Sequence, residues 1–223
     1  MSFKSGFKKK SLGILIHPTS LPGGSYCGTF GKGAKDWIKE LSKHRINFWQ
    51  FLPLTPTDST GSPYSSPSSF ALNPWFLDIN ELIEKDYISL SNRKELQSIN
   101  QKEDHFNFDF ANSLSKKLAE HLVMRWDYQS SERKNEFYIW NKKNTWVEDY
   151  SIFMVIREHF KMLPWWEWPF EFKQKKIEFI KPWIKDKSEE ILKIKLVQWH
   201  LDNQWREIKN FAKTKGITLV GDL

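Results

Sequence analysis

Apolar and polar positions along the 223-residue chain follow two rhythms, and each marks a different kind of element. "LGILIH", residues 12 to 17, is a short apolar run closed by Pro18, which cannot continue a ladder. It predicts a strand buried on both faces. "AKDWIKELSKHR", residues 34 to 45, then places Ala34, Trp37, Ile38 and Leu41 at helical spacing. "INFWQFLPL", residues 46 to 54, predicts a second buried strand, again stopped by a proline. Strand, helix and strand joined by short loops imply a parallel pair with a right-handed crossover.

Beyond Leu54 the rhythm breaks. "GSPYSSPSSFALNPW", residues 61 to 75, holds serines and prolines that cannot keep a helix, yet it carries Tyr64, Phe70 and Trp75. Residues 80 to 108 read as polar and irregular. A helix is predicted over 109 to 128, with Phe110, Leu114, Leu118 and Leu122 on one stripe, and another from about Thr145 to Phe160. "PWWEWP" then interrupts. The longest helix is expected to start near Asp186, with Asp186 as N-cap and Glu189 as its capping-box partner. Its predicted buried stripe is Ile191, Ile194, Val197, Leu201, Trp205, Ile208 and Ala212, and Gly216 ends it as a left-handed C-cap residue. "ITLVGDL" reads as a third buried strand.

The order is therefore β-α-β, a large helical insertion, then α-β, the opening of an α/β barrel or of a doubly wound sheet. Residues 1–79 would carry the first two strands, 80–185 a mainly helical insertion, and 186–223 a helix and the third strand. A last strand without a covering helix leaves an open edge, and a (β/α)8 barrel typically needs about 250 residues. The sequence thus reads as the first part of something longer.

Composition narrows the classes. Hydrophobic residues make up 39% and aromatics 16%, with 12 tryptophans, so a packed core is expected. No apolar run approaches the ~20 residues that span a bilayer. The basic start is followed only by "LGILI", too short for a signal-peptide core of ~7–15 residues. The expected location is the cytoplasm, with no membrane partner. Cys27 is the only cysteine, which excludes an internal disulfide and a cysteine metal cluster, and it reads as a loop or semi-buried thiol. The six histidines show no close i, i+4 pair for a metal. A net charge of +7 permits nucleic-acid binding, but the basic residues alternate with acids, as in "KSEEILKIK". A solvated helix face explains that pattern, and no nucleic-acid partner is expected. No Gly-rich phosphate loop precedes a helix, so nucleotide sugars are not implied.

"LGILIHPTSLPGG", "INFWQFLPLTPT", "GSPYSSPSSFALNPWFLDI", "WVEDYSIFMVIREHF", "QWHLDNQW" and "ITLVGDL" occur in that order over residues 12 to 223. In this the chain resembles the amylomaltases, the 4-α-glucanotransferases or disproportionating enzymes of the α-amylase clan. The resemblance implies an incomplete (β/α)8 TIM barrel, its first three strands, with a large helical insertion between strands 2 and 3. It implies an activity as well: breaking an α-1,4 bond in a maltooligosaccharide or starch chain and passing the glucan to another sugar's 4-hydroxyl. No cofactor is implied. The family's SPY segment lies over the cleft, where its serine and tyrosine contact sugar; here these are Ser62 and Tyr64. An aromatic face suits the apolar C–H face of a pyranose, and hydroxyls suit its polar edge. Three positions depart from the family pattern. Gly61 stands where Asp is frequent, Ser65 where Gln is frequent, and Ser59 where some members carry an aromatic of a second glucan-binding spot.

Retaining glycosyl transfer needs two carboxyl groups about 5–5.5 Å apart. At the ends of the three predicted strands stand His17, Pro53 and Asp222, of which only Asp222 is a carboxylate. In the family the nucleophile and the acid/base lie on later strands, beyond Leu223, so no catalytic residue is expected in this chain. Asp222 matches a supporting residue at the base of the family's cleft; a strand-end carboxylate held by its neighbours is the other reading of it. His17 reads as a satisfied strand-end histidine. Trp165, Trp166 and Trp168 read as packing residues that pin a subdomain, and Trp199 and Trp205 as core of the long helix. The alternative to the enzyme is a non-catalytic carbohydrate-binding fragment.

Overall fold

The structure, a computed structural model, describes residues 10–24, 27–58, 60–91 and 107–222. Ser59, Lys8, Lys9 and most of the stretch 86 to 108 fall outside the described residues. Three strands, β1 (Gly13–Leu15), β2 (Phe48–Phe51) and β3 (Thr218–Gly221), form one parallel sheet in the order β1-β2-β3. Helix α1 (Lys32–Lys43) connects the first two. Between β2 and β3 lie α2 (Ile79–Glu84), α3 (Phe108–Trp126), α4 (Ser131–Lys143), α5 (Trp146–His159), α6 (Phe170–Lys173), α7 (Ile177–Asp186) and α8 (Ser188–Thr214).

Register decides which strand residues reach the core. Ile14, Trp49 and Leu219 stand side by side, and this row packs with α1 and α8 into the main cluster. Its Trp49 is fully buried and donates its indole N–H to the Ile16 carbonyl at 2.8 Å. The next row, Leu15, Gln50 and Val220, points the other way, and Leu15 is 56% exposed. Strands buried on both faces were expected. Among the described residues only the face toward α1 and α8 is covered, because an apolar run shows that a strand can be buried, not what covers it.

The long helix α8 is buried around its middle, where Leu196 to Leu201 are six consecutive buried residues. It packs against α1, α3, α4, α5, α7 and β3. Trp199 is buried, and Trp205 packs tilted against Phe30 and edge-on to Phe51. The helix ends in a Schellman motif: Gly216, at φ +71°, donates to Lys213 O, and Ile217 N–H donates to Ala212 O at 2.9 Å. Its start differs from the expected one. Asp186 is the last residue of α7 and makes no cap; α8 begins at Ser188 after a single joint residue, Lys187. Two further helices, α2 and α4, occupy stretches without a marked apolar stripe. Asp78 caps α2 by accepting Glu81 N–H at 2.9 Å, and Ser130 caps α4 by accepting Arg133 N–H at 3.3 Å.

Trp168 is buried against Phe153 and Phe160 in a second, smaller cluster with α5 and α7, its indole bound to Leu163 O. Trp165 and Trp166 are largely exposed and meet each other edge to face. Among the described residues no helix is long and apolar enough to cross a membrane.

Asp78 joins three segments. Besides its cap it accepts the Thr29 hydroxyl at 2.6 Å, and its backbone N–H and C=O both bond the Gln204 carboxamide. Asp78→Ala removes a cap worth about 0.5–2 kcal/mol and strands a buried hydroxyl at about 1–3 kcal/mol. Urea unfolding should show a loss of roughly 2–4 kcal/mol, and a loss below about 0.5 kcal/mol would contradict this role.

Two histidines make stability depend on acid. Burial lowers the His17 pKa to about 4. Burial, aided by the charges of Lys85 and Arg133, lowers that of His200 to about 3. The His17 imidazole also departs from the satisfied strand-end reading, since its buried Nδ1 has no hydrogen-bond partner. Unfolded histidine titrates near 6.5. Between that value and the folded ones the unfolded chain binds more protons, so stability present above about pH 6.5 is lost as pH falls toward 4. The slope is at most about 1.4 kcal/mol per pH unit for each group. Urea midpoints taken from pH 7 to 4.5 should fall more steeply in the wild type than in His200→Phe; parallel curves would contradict the assignment.

Candidate functional site

The loop from residue 55 to 72 leaves β2 and returns beside its own base. Asn73 N–H donates to Leu54 O at 2.8 Å and closes it there. Its serines bond the loop's own backbone. Ser68 Oγ accepts from the N–H groups of Phe70 and Ala71, and Ser66 Oγ donates to Ser68 O. Serine and proline thus hold a fixed turn path where no ladder exists.

Asp58 organises the tip, a role the sequence reading missed. Its carboxylate accepts the Thr60 N–H at 2.8 Å, the Thr60 hydroxyl and the Ser65 hydroxyl. Those bonds, with a smaller contribution from the charge of Arg157, hold its pKa below the ordinary carboxylate value. Its backbone N–H and C=O bond Ser65 O and Gly61 N–H. Gly61 has φ +72°, and a Cβ there would stand 2.2 Å from the Phe108 ring. The glycine at this position therefore allows Phe108 to lie against the loop.

The three residues singled out from the sequence meet at this tip. Ser62 Oγ accepts the Tyr64 N–H at 3.3 Å. Tyr64 Oη donates to Asp222 Oδ2 at 2.5 Å, across 158 residues of sequence. Asp222 directly follows β3, and its N–H extends the ladder to Phe51 O at 3.1 Å. The Asp222 hydrogen bond, with slight desolvation and the neighbouring charge, raises the Tyr64 pKa, because ionising the phenol would set two anions together. Tyr64 is nevertheless 61% exposed, so its ring stays open to solvent while its hydroxyl is held. The site offers a tethered aromatic surface, a serine hydroxyl and a carboxylate at the C-terminal ends of parallel strands.

The other two aromatics of the segment separate. Trp75 is a buried anchor whose indole donates to Asn112 Oδ1 at 3.0 Å, while Phe70 is exposed and stacks on Trp146. Cys27 is a semi-buried thiol, its pKa raised to about 12 by burial, which gives no nucleophile at neutral pH. Among the described residues no group of three His, Cys, Asp or Glu side chains stands where it would hold a metal. A separate cleft of about 250 Å³ between α2 and α8, lined by Tyr87 and His200 among others, shares no residue with the loop.

Residues 16–223 match the model of glycoside hydrolase family 77, described as 4-alpha-glucanotransferase. The 4-alpha-glucanotransferase of Clostridium butyricum is 31% identical over 208 residues, which are 93% of this chain and 42% of that protein. That of Thermus thermophilus is 30% identical over 218 residues, 96% of this chain and again 42% of the other. The solved amylomaltase of Streptococcus agalactiae, in complex with acarbose, superposes with a TM-score of 0.90 at 30% identity; it covers 96% of this chain and 43% of that one. The chain spans less than half the length of the relatives it matches. On the family match and the common α/β structure together, the chain belongs to the 4-alpha-glucanotransferase family.

Proposed function

We propose that this chain takes part in 4-α-glucanotransfer, moving α-1,4-glucan segments between maltooligosaccharides or starch chains by a retaining, covalent mechanism. In this reading residues 1–79 and 186–223 supply the first three strands of a (β/α)8 barrel, and residues 80–185 are its helical insertion. Ser62 and Tyr64 contact the sugar, and Asp222 supports them. The observation that carries the reading is the Tyr64–Asp222 hydrogen bond, which sets an exposed aromatic ring over the strand ends. TIM-barrel enzymes build their sites at that end.

The chain's own residues suit binding and positioning. The Tyr64 ring presents its face to the C–H face of a glucose, and the Ser62 hydroxyl can exchange its weak loop bond for one to the sugar. A glycosyl-enzyme needs a nucleophile and an acid/base about 5–5.5 Å apart. Asp222 is held by Tyr64, and Asp58 is committed to Thr60 and Ser65. The family resemblance assigns both reacting carboxyls to later strands, outside residues 1–223. That commitment of Asp58 and Asp222 also supports the second reading, carbohydrate binding without catalysis, for a polypeptide of these residues alone.

Maltotriose separates the two. The native polypeptide that carries these residues is expected to convert it to glucose and longer oligomers, whereas residues 1–223 alone give no turnover. Turnover by residues 1–223 that vanishes in Asp222→Asn would overturn the assignment of the reacting groups. A native polypeptide that binds maltooligosaccharides without transferring them would replace the enzyme by the binding reading. In an active polypeptide, Tyr64→Ala should lower kcat/KM about tenfold or more, since aromatic contacts contribute ~0.5–1.5 kcal/mol beyond the lost area. Tyr64→Phe keeps the face and should retain more. An unchanged kcat/KM in Tyr64→Ala would reject the platform.

A further inference from the structure

The motif "QWHLDNQW" places two glutamines, Gln198 and Gln204, in the buried part of α8. Each stands three residues from Leu201 on the buried face and is 2% exposed. A buried carboxamide must find partners for its oxygen and its NH2 group. Both glutamines solve this in the same way. Gln198 Oε1 accepts the Leu72 N–H at 2.9 Å, and its Nε2 donates to Leu72 O at 2.8 Å. Gln204 grips the N–H and C=O of Asp78 likewise, at 2.9 and 3.1 Å. Each glutamine thus replaces the two ladder bonds that a neighbouring strand would give.

Leu72 is the residue at which the loop 55–72 returns to the body. The outgoing end of that loop is fixed by β2, and the return end meets α8 at Gln198. The same helix runs on through Gly216 into β3, which ends at Asp222. One rigid element therefore sets both partners of the Tyr64–Asp222 pair, Asp222 through chain continuity and the loop through a side chain. The match needs glutamine: leucine fills the space but offers neither bond, glutamate lacks the donor, and asparagine is one methylene short.

We propose that Gln198 is a positioning residue, whose two bonds to Leu72 fix the loop so that Tyr64 Oη meets Asp222 Oδ2. Its bearing on glucan binding rests on the functional reading above, but the positioning itself does not. The Tyr64 phenol reports it without any substrate. Free tyrosine titrates near 10, and the folded Tyr64 titrates higher because its hydroxyl donates a hydrogen bond to Asp222.

The test follows the Tyr64 ring by NMR across this pH range in the wild type, Asp222→Asn, Gln198→Leu and Gln198→Asn, with thermal unfolding recorded in parallel. Asp222→Asn leaves an oxygen that can still accept the phenol and removes the carboxylate charge, so it marks the value without the neighbouring anion. Both Gln198 variants are expected to move Tyr64 back toward about 10, while still folded at the temperature of the titration. A Gln198 substitution that lowers Tm but leaves the Tyr64 midpoint at the wild-type value would overturn the proposal and make the clamp purely structural. Should Gln198→Leu not fold, Gln198→Asn decides by the same reading. No response of Tyr64 even to Asp222→Asn would also overturn it. Maltotriose added to the wild type separates the other question. Absent sugar binding, with the Gln198 response present, would reject the glucan reading and keep the positioning role.

Discussion

The burial of one helix segment, Leu196 to Leu201 of α8, is the constraint on which the rest of the structure depends. A helix apolar on one stripe packs on one side; a helix buried all round must be surrounded. Along its length the helix packs against α1 and β3 of the sheet layer and against α3, α4, α5 and α7 of the helical part. Apolar burial contributes about 25 cal/mol per Å², so a segment whose side chains are covered on every side is a large share of what holds these layers together. Polar residues within such a segment are costly unless fully bonded. Gln198 and Gln204 meet that condition by bonding backbone, and in doing so they attach the stretch from Leu72 to Asp78.

This explains why an irregular loop can present a defined surface. The loop 55–72 has no ladder, and its order comes from short-range bonds of Ser62, Ser66 and Ser68, from the Asp58 carboxylate at its tip and from the closure at Leu54 and Asn73. An exposed aromatic ring on a mobile tether would lose ordering entropy on binding a ligand. A ring whose hydroxyl is already held at Asp222 loses less, which is the physical content of preorganisation.

Much of the fold was legible in the sequence because its long helices carry stripes. Leu114, Leu118 and Leu122 of α3 and Ile208 and Ala212 of α8 are buried as their spacing predicts, and the three strands pair in parallel. Where the pattern was weak, elements were missed. Helix α4 buries only Phe137 and Trp140, with Tyr138 and Ile139 exposed between them, and its signals were the Ser130 cap and the lysines of its last turn. Helix α2 announces itself through Asp78 and Glu81, a cap signature without a long apolar run. The start of α8 was misplaced because α7 runs on to Asp186 despite Pro182 within it. Of the site, Ser62 and Tyr64 were legible as sugar contacts only through family resemblance, whereas Asp222 stood out as the one carboxylate at a predicted strand end. No local rule joins residues 158 positions apart. Asp58 and Gln198 escaped because periodicity looks for apolar side chains and does not ask which backbone groups need a partner.

The proposed function depends most on Tyr64, held by Asp222, serving as a sugar platform at the strand ends. The most direct measurement is an experimental structure of the native polypeptide with a bound maltooligosaccharide. A glucose ring is expected to stack on the exposed face of Tyr64, with Ser62 Oγ within hydrogen-bond reach of that sugar and Tyr64 Oη still on Asp222. A bound sugar lying elsewhere, with the Tyr64 ring bare or turned away from Asp222, would contradict it.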